Sequence, residues 1–439
     1  MFGYYFKLGF NSLKRNPILT ALMVFTLAVG VAASISTLTV LTAMMSDPIP
    51  EKSRNLLVPL IDNGPTQSYE AGKPQEQSHL PYRDAVAFLA SKQGVRRTAV
   101  YTVTGAIEPM QANSPVIAIA GSATTEDYFA MFNVPFLFGG AWRAEDDVAA
   151  TNVVVISKNI SEKLFGKENP VGKRIKLFGL EYQVSGVTAT WQPSPRFVNV
   201  FNNQSGAYVG EEDVLLPFSN AIANKKNHDG STWCMGDKMG PGFQGLLDSE
   251  CTWVQFWFEI ENASGRTALL EYLRGFTADQ RKLGRYMRAN KDQVFDVMEW
   301  MTYRGVVSND RKLSVWLAFG FLLLCLVNTV GLLLAKFSTR GSEVGVRRAL
   351  GASRGQIFSQ FFVETAVLGL AGGALGLILS FSGLWLLSQQ SLQIAAVARI
   401  DWLMFFTTFA LAVSASLIAG IWPTWRACMI SPAAELKSQ

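Results

Sequence analysis

Residues 338–376 read STRGSEVGVRRALGASRGQIFSQFFVETAVLGLAGGALG, a short charged segment that leads directly into an apolar one. Val344, Val346 and Leu350 recur there among Glu343, Arg347 and Arg348, which predicts a short amphipathic helix over 343–350 with those three apolar residues making its contacts. Gly351 offers a helix end that tolerates a left-handed backbone. Ser353 is placed to cap the next helix, which continues through Gln356 into the apolar run. A charged helix joined this closely to long apolar neighbours suits the reception of force from a partner, and it equally suits a helix lying on an anionic membrane surface. The residues by themselves leave both readings open.

Outward from this segment, hydropathy organises the chain. A bilayer core of about 30 Å takes about 20 apolar residues as helix, and uncharged runs of that order occupy 18–46, 313–335, 365–388 and 402–425, the third within an expected helix over 361–388. The first follows Lys14 and Arg15 and contains Ala32 and Ala33, features shared with signal peptides. Its apolar stretch continues to Met45, beyond the core of a cleaved signal, so a retained span is expected. That length also predicts an outward stalk, with tilt in the bilayer as the alternative. A matching stalk is expected from Asp292 through Arg311, where Val294, Val297, Met298 and Met301 recur at helical spacing.

Orientation follows from the flanking cations. Lys7, Lys14 and Arg15 precede the first run, Lys336, Arg340, Arg347, Arg348 and Arg354 lie between the second and third, and Arg426 and Lys437 follow the fourth. The loop 389–401 carries only Arg399. Segments 1–17, 336–360 and 426–439 are therefore expected on the cytoplasmic side, with 47–312 outside. The expected fold class is a membrane protein of four transmembrane α-helices with a large α+β extracytoplasmic domain inserted between helices 1 and 2.

The bulk composition agrees with a part-membrane, part-soluble chain: 439 residues, 49% hydrophobic, with a mean hydropathy of +0.19. A net charge of +5 is not gathered into a basic patch with interleaved aromatics, so no nucleic-acid partner is expected. Four cysteines and two histidines, without C-x-x-C or H-E-x-x-H, predict no metal site. No nucleophile motif stands near His79 or His228, which disfavours a membrane-anchored enzyme. Cys234 and Cys251 lie in the segment read as extracytoplasmic and are a candidate disulfide.

Within that segment, strands are expected at 115–120, 152–157, 174–177, 182–187 and 253–260, and helices at 81–90 and 159–165. The stretch 192–250 is rich in Asn, Gly, Ser, Asp and Pro without sustained periodicity, and reads as an irregular insert. GKENPVGKR, from Gly166 to Arg174, mimics a phosphate-binding loop but has the wrong glycine spacing and Arg174 after the lysine; a β-turn between strands is expected. Gly369, Gly372, Gly373 and Gly376 have small-x-x-x-small spacings that allow close helix packing. Asn328 is expected to hydrogen-bond between helices and Glu364 to sit at the membrane interface.

Glu343, Gly345, Arg347, Arg348, Ala349, Leu350, Gly351, Ala352 and Ser353 hold the E-x-G-x-R-R-A-L-G-A-S signature of the MacB/FtsX-like permeases, so this chain resembles that family. Val344 falls inside the same segment, and Gly341 stands where family members often carry a charge. The first apolar run, the stretch from Tyr128 through Asp146 to Val187, and the tail from Pro423 to Lys437 are also similar, although Ser431 replaces an acid of the tail pattern. The resemblance implies a coupling helix at 343–353 that docks on a separate cytoplasmic ABC ATPase dimer. ATP and Mg would be bound by that partner, with no cofactor in this chain. It further implies a second permease copy, identical or related, and a MacB-type role in export through a periplasmic adaptor and an outer-membrane channel. A lipoprotein-releasing permease and an FtsX-like regulator without transport are the alternatives. The implied location is the bacterial inner membrane, with both termini cytoplasmic and the large domain periplasmic.

Overall fold

The computed structural model describes residues 16–64, 79–108, 116–191, 193, 195–198, 211–230, 232–234, 239–288, 291–306, 309–390 and 402–428. The chain divides into two compact units, Ser46–Val306 and the combination of Met1–Met45 with Val307–Gln439. Along the chain the elements begin with α1 (Pro17–Met45), β1 (Leu56–Leu60), α2 (Tyr82–Ala90), β2 (Arg96–Glu108), β3 (Ile117–Thr124), α3 (Asp127–Met131), β4 (Phe136–Gly139) and α4 (Ala144–Ala149). There follow β5 (Val153–Ser157), α5 (Lys158–Phe165), β6 (Arg174–Leu177), β7 (Leu180–Thr188), β8 (Val214–Pro217), α6 (Phe218–Ala223), α7 (Gly242–Asp248), β9 (Gln255–Glu259) and α8 (Ala263–Lys282). Last come β10 (Gln293–Phe295), α9 (Val297–Tyr303), α10 (Asn309–Ser338), α11 (Gly341–Ala349), α12 (Arg354–Gln390) and α13 (Trp402–Cys428).

In the unit Ser46–Val306 the sheet runs β10-β1-β9-β2-β3-β8-β5-β7-β4, with β6 pairing both β2 and β7. The long β2 carries the architecture: Arg96–Val100 pair with β9, and Tyr101–Ile107 with β3. β5 is buried along its whole length, as its β-branched sequence VVVIS favours. Phe88 of α2 is fully buried against Phe256, Phe258, Tyr272 and Phe276, at ring separations of 4.9–6.0 Å. That burial is worth about 2–3 kcal/mol. Asn262 caps α8 by accepting from Ser264 N and Gly265 N at 3.0 and 3.3 Å, and the helix buries Leu269 and Leu273 in the core.

Several expectations change here. The stretch 192–250 is not wholly irregular, because β8 lies inside the sheet between β3 and β5. Val214, Leu215 and Leu216 are all buried, and a strand buried on both faces shows no alternation for a sequence reading to detect. The stalk expected from Asp292 is interrupted: Val294 pairs with Pro59 in β10, Asp296 opens the separate helix α9 with a capping box, and Gly305 follows at φ +63°. GKENPVGKR joins helix α5 to strand β6 rather than two strands, with Lys173 Nζ 2.6 Å from Glu168 Oε2.

In the other unit, α1, α10 and α12 each contain a stretch long and apolar enough to cross a membrane, namely Pro17–Thr39, Leu313–Ser338 and Arg354–Leu386. α13 adds a further apolar helix of 27 residues. Met23, Leu27, Val31 and Ile35 form the buried stripe of α1. Beside it, a Cβ on Gly372 would lie 2.9 Å from Leu27 Cβ, and one on Gly376 would lie 2.9 Å from Val31 Cγ1. Gly373 is buried as well. Gly369 abuts Ser416 of α13, so the glycines of α12 serve two different neighbours within one chain. Bonds between these helices come from Ser34 Oγ to Ala318 O at 3.1 Å and Ser380 Oγ to Ala32 O at 3.4 Å. Asn328, expected to supply such a bond, is exposed instead. It lies one residue, about 100° of helix rotation, from the buried Thr329.

Candidate junction site between helices 10, 11 and 12

The signature segment forms an elbow closed first by backbone bonds at the end of α11 and then by side-chain caps at the start of α12. α11 ends in a Schellman motif: Ala352 N donates to Arg347 O at 3.0 Å and Gly351 N to Arg348 O at 3.1 Å. Gly351 adopts φ +97°, a conformation that a side chain would strain. α12 then opens with a reciprocal capping box, in which Gln356 N donates to Ser353 Oγ at 3.2 Å and Ser353 N to Gln356 Oε1 at 3.0 Å. The two helices are thus joined with little slack.

Side chains attach α11 to the membrane helices. Val344 is buried with Phe337 of α10 and Ile357 and Phe361 of α12, in a cluster that includes Met23 of α1. The Phe337 and Phe361 rings are 4.4 Å apart. Arg347 reaches Glu343 Oε1 at 2.6 Å and Gln360 Oε1 of α12 at 2.5 Å. Val346 and Leu350, expected to join the apolar contacts, point outward instead at 55% and 83% exposure. Val346 is two positions, about 200°, from Val344 and so faces the opposite side of the helix. Among the remaining signature residues Gly345 is buried, Arg348 and Ala352 are half-buried, and Ala349, Gly351 and Ser353 are exposed.

Sequence reasoning missed the centre of the junction. Glu364 is 1% exposed, with Oε1 2.7 Å from Lys336 Nζ and Oε2 3.0 Å from Arg340 Nη1. In the sequence Lys336 and Arg340 signal only orientation, and Glu364 only an interfacial position. One signal was available: Glu364 is the sole acid between Glu343 and Asp401 and begins an apolar run, where an uncompensated carboxylate is costly.

In the other unit Cys234 and Cys251 are joined as a disulfide. Trp233 and Thr252 exchange backbone bonds beside it at 3.2 and 2.9 Å. Next to it Arg285 holds Asp84 with two bonds of 2.9 Å and Glu250 with one of 2.6 Å. Burial pushes the Asp84 carboxyl up while Arg285 pulls it back. His79 is fully buried, and burial followed by the charge of Arg304 holds its imidazole well below its ordinary value. Among the described residues no group of three or more His, Cys, Asp or Glu side chains is placed to hold a metal.

Two family patterns match this chain. The MacB-like periplasmic core domain covers residues 20–240, and the FtsX-like permease C-terminal covers residues 315–432, which includes the junction. The first reaches into 192–250, a stretch the sequence left outside any resemblance. The pyoverdine export ATP-binding/permease protein PvdT of Pseudomonas aeruginosa is 26% identical over 83% of this chain and 49% of its own length. The macrolide export ATP-binding/permease protein MacB of Escherichia coli (strain K12) is 25% identical over 85% of this chain and 51% of its own. The chain thus spans about half the length of the curated relatives it matches. The periplasmic region of MacB from Actinobacillus actinomycetemcomitans covers 60% of this chain and 98% of its own length, at 14% identity and a TM-score of 0.36.

Proposed function

The chain belongs to the MacB/FtsX-like family, and from that premise we propose that it is the permease subunit of an ABC transporter that passes ATPase-driven motion to a periplasmic domain for export of periplasmic substrates. In this reading α1, α10, α12 and α13 cross the inner membrane, both termini and α11 are cytoplasmic, and the unit Ser46–Val306 is periplasmic. ATP and Mg are bound and used by a cytoplasmic ABC ATPase dimer, and a second permease copy completes the membrane part. An adaptor and an outer-membrane channel carry the substrate onward.

The observation that carries the reading is an exposed apolar tip on a firmly held helix. Leu350 is 83% exposed and Val346 55%, while Val344 behind them is 3% exposed. In the sequence Arg348 and Arg354, half-buried and exposed respectively, lie on either side of Leu350. An apolar knob with a basic rim fits a groove that is apolar at its centre and acidic at its edge. The test is affinity purification of the chain with its ATPase. Leu350→Glu should abolish co-purification, and Glu343→Ala with Arg347→Ala should weaken it and uncouple transport. Undiminished capture and activity in both variants would sink the reading.

A further inference from the structure

We propose that Glu364 is the positioning residue of this junction, holding Lys336 and Arg340 so that α11 moves only together with α10 and α12. The proposal rests on reading α11 as the segment that receives force, but its physical basis is separate. Lys336 lies in the last turn of α10, Arg340 occupies the N-cap position of α11, and Glu364 lies within α12. One carboxylate therefore ties three elements, one cation to each oxygen, at 2.7 and 3.0 Å. Arg347 ties the far end of α11 to α12 through Gln360.

The choice of ions is informative because stability alone does not call for them. Removing charges from water costs several kcal/mol per ion, and well-packed apolar side chains of the same volume are often as stable or more so. What the cluster adds is direction. Apolar surfaces slide over one another at small cost, whereas separating a buried carboxylate from two cations is opposed in every direction, because the attraction is strong in a medium of low dielectric. α11 needs such a restraint: of its three apolar side chains only Val344 is buried, so packing by itself would let the helix roll about a single anchor. The ion cluster at one end and Arg347–Gln360 at the other remove that freedom.

The test uses the full chain in lipid nanodiscs, without any ATPase, with Cys325 and Cys428 replaced by serine. Spin labels at Leu350→Cys on the tip and Ile378→Cys on α12, positions that are 83% and 61% exposed, report the distance distribution between the two helices. The parent should give one narrow distribution. The triple variant Lys336→Met, Arg340→Met, Glu364→Leu keeps the volume and removes the charges. It should melt within a few degrees of the parent while the distribution roughly doubles in width. Glu364→Gln should broaden it as well, and where that variant fails to fold the triple variant still decides. A triple variant as narrow as the parent overturns the proposal. So does one whose broadening is matched by a loss of thermal stability, since that would mark a purely structural role. Failure of the chain to capture an ATPase, with the parent narrow and the triple variant broad, would defeat the proposed function and leave this inference standing.

Discussion

At the junction one carboxylate, Glu364, holds two cations; in the unit Ser46–Val306 one guanidinium, Arg285, holds two carboxylates, Asp84 and Glu250. Both clusters join separate elements, but their surroundings differ. Arg285 also lies 4.8 Å from the Tyr286 ring centre, and Glu250 is the chain neighbour of the disulfide-bonded Cys251. Covalent, aromatic and ionic restraints coincide there, as befits an anchor. α11 has its ions, the Arg347–Gln360 bond, one buried valine and the backbone bonds that close its C-terminus. The junction is therefore held mainly by buried ions, and under the proposed function such a joint would keep its angle while being pushed, whereas the Arg285 cluster would stand still.

The largest effect should come from breaking the anchor. Arg285→Met leaves Asp84, whose side chain is 2% exposed, facing Glu250 without its cation, and should cost about 3–5 kcal/mol in denaturant unfolding. A loss below about 1 kcal/mol would remove the basis for calling this cluster an anchor. The covalent restraint comes next. Cys234→Ser with Cys251→Ser opens a loop of sequence separation 17, with an expected loss of about 3 kcal/mol. Combined with Arg285→Met it should cost less than the sum, because Arg285 holds Glu250, the chain neighbour of Cys251; full additivity would show that they act independently.

In the membrane unit the counterpart of that covalent lock is glycine packing. On Gly376 a Cβ would lie 2.9 Å from Val31 Cγ1 and 3.1 Å from the backbone oxygen of Ala28. Gly376→Ala should therefore cost about 1–3 kcal/mol, read as a lower melting temperature in detergent. Unchanged melting would mean that α1 yields easily there.

The smallest effect concerns a carboxyl bonded to neutral donors. Asp147 accepts from Trp142 Nε1 at 3.0 Å and Glu126 N at 2.8 Å. Burial, reinforced by the Glu126 carboxyl, pushes it up to about 7. Its ordinary value is 3.8, so between those two pH values the folded state binds a proton that the unfolded state has released. The stabilising contribution is complete below about pH 4 and is lost as pH rises through about 7, a fall of about 1–2 kcal/mol between pH 5 and 8 once partial exposure is allowed for. Asp84, Asp127, Glu211 and Asp292 are shifted upward too and add to the trend. The share belonging to Asp147 is the part that Asp147→Asn abolishes in parallel melting curves; identical slopes would count against it.

Local signals were legible wherever a residue acts on its own neighbours. Gly351 and Ser353 marked the two bends because capping bonds form within a few residues, and the strand at Arg174–Leu177 has the bounds its sequence indicated. The misses share one cause. β8 carries no alternation because both faces are covered, Val294 follows a helical spacing but is captured by β1, and Val346 looks like Val344 but faces the other way. In each case the deciding partner lies far away in the chain.

By itself the sequence determined the long apolar helices, the charged helix between two of them and the chemistry available at its tip, because hydropathy, capping and helical spacing are properties of short segments. Only the tertiary structure decided that Glu364 meets both Lys336 and Arg340, that Gly369 and Gly376 face different helices, and that β8 lies inside the sheet. Those outcomes depend on which surfaces exclude water together, and an ion or a glycine acquires its role only from the element that comes to lie against it.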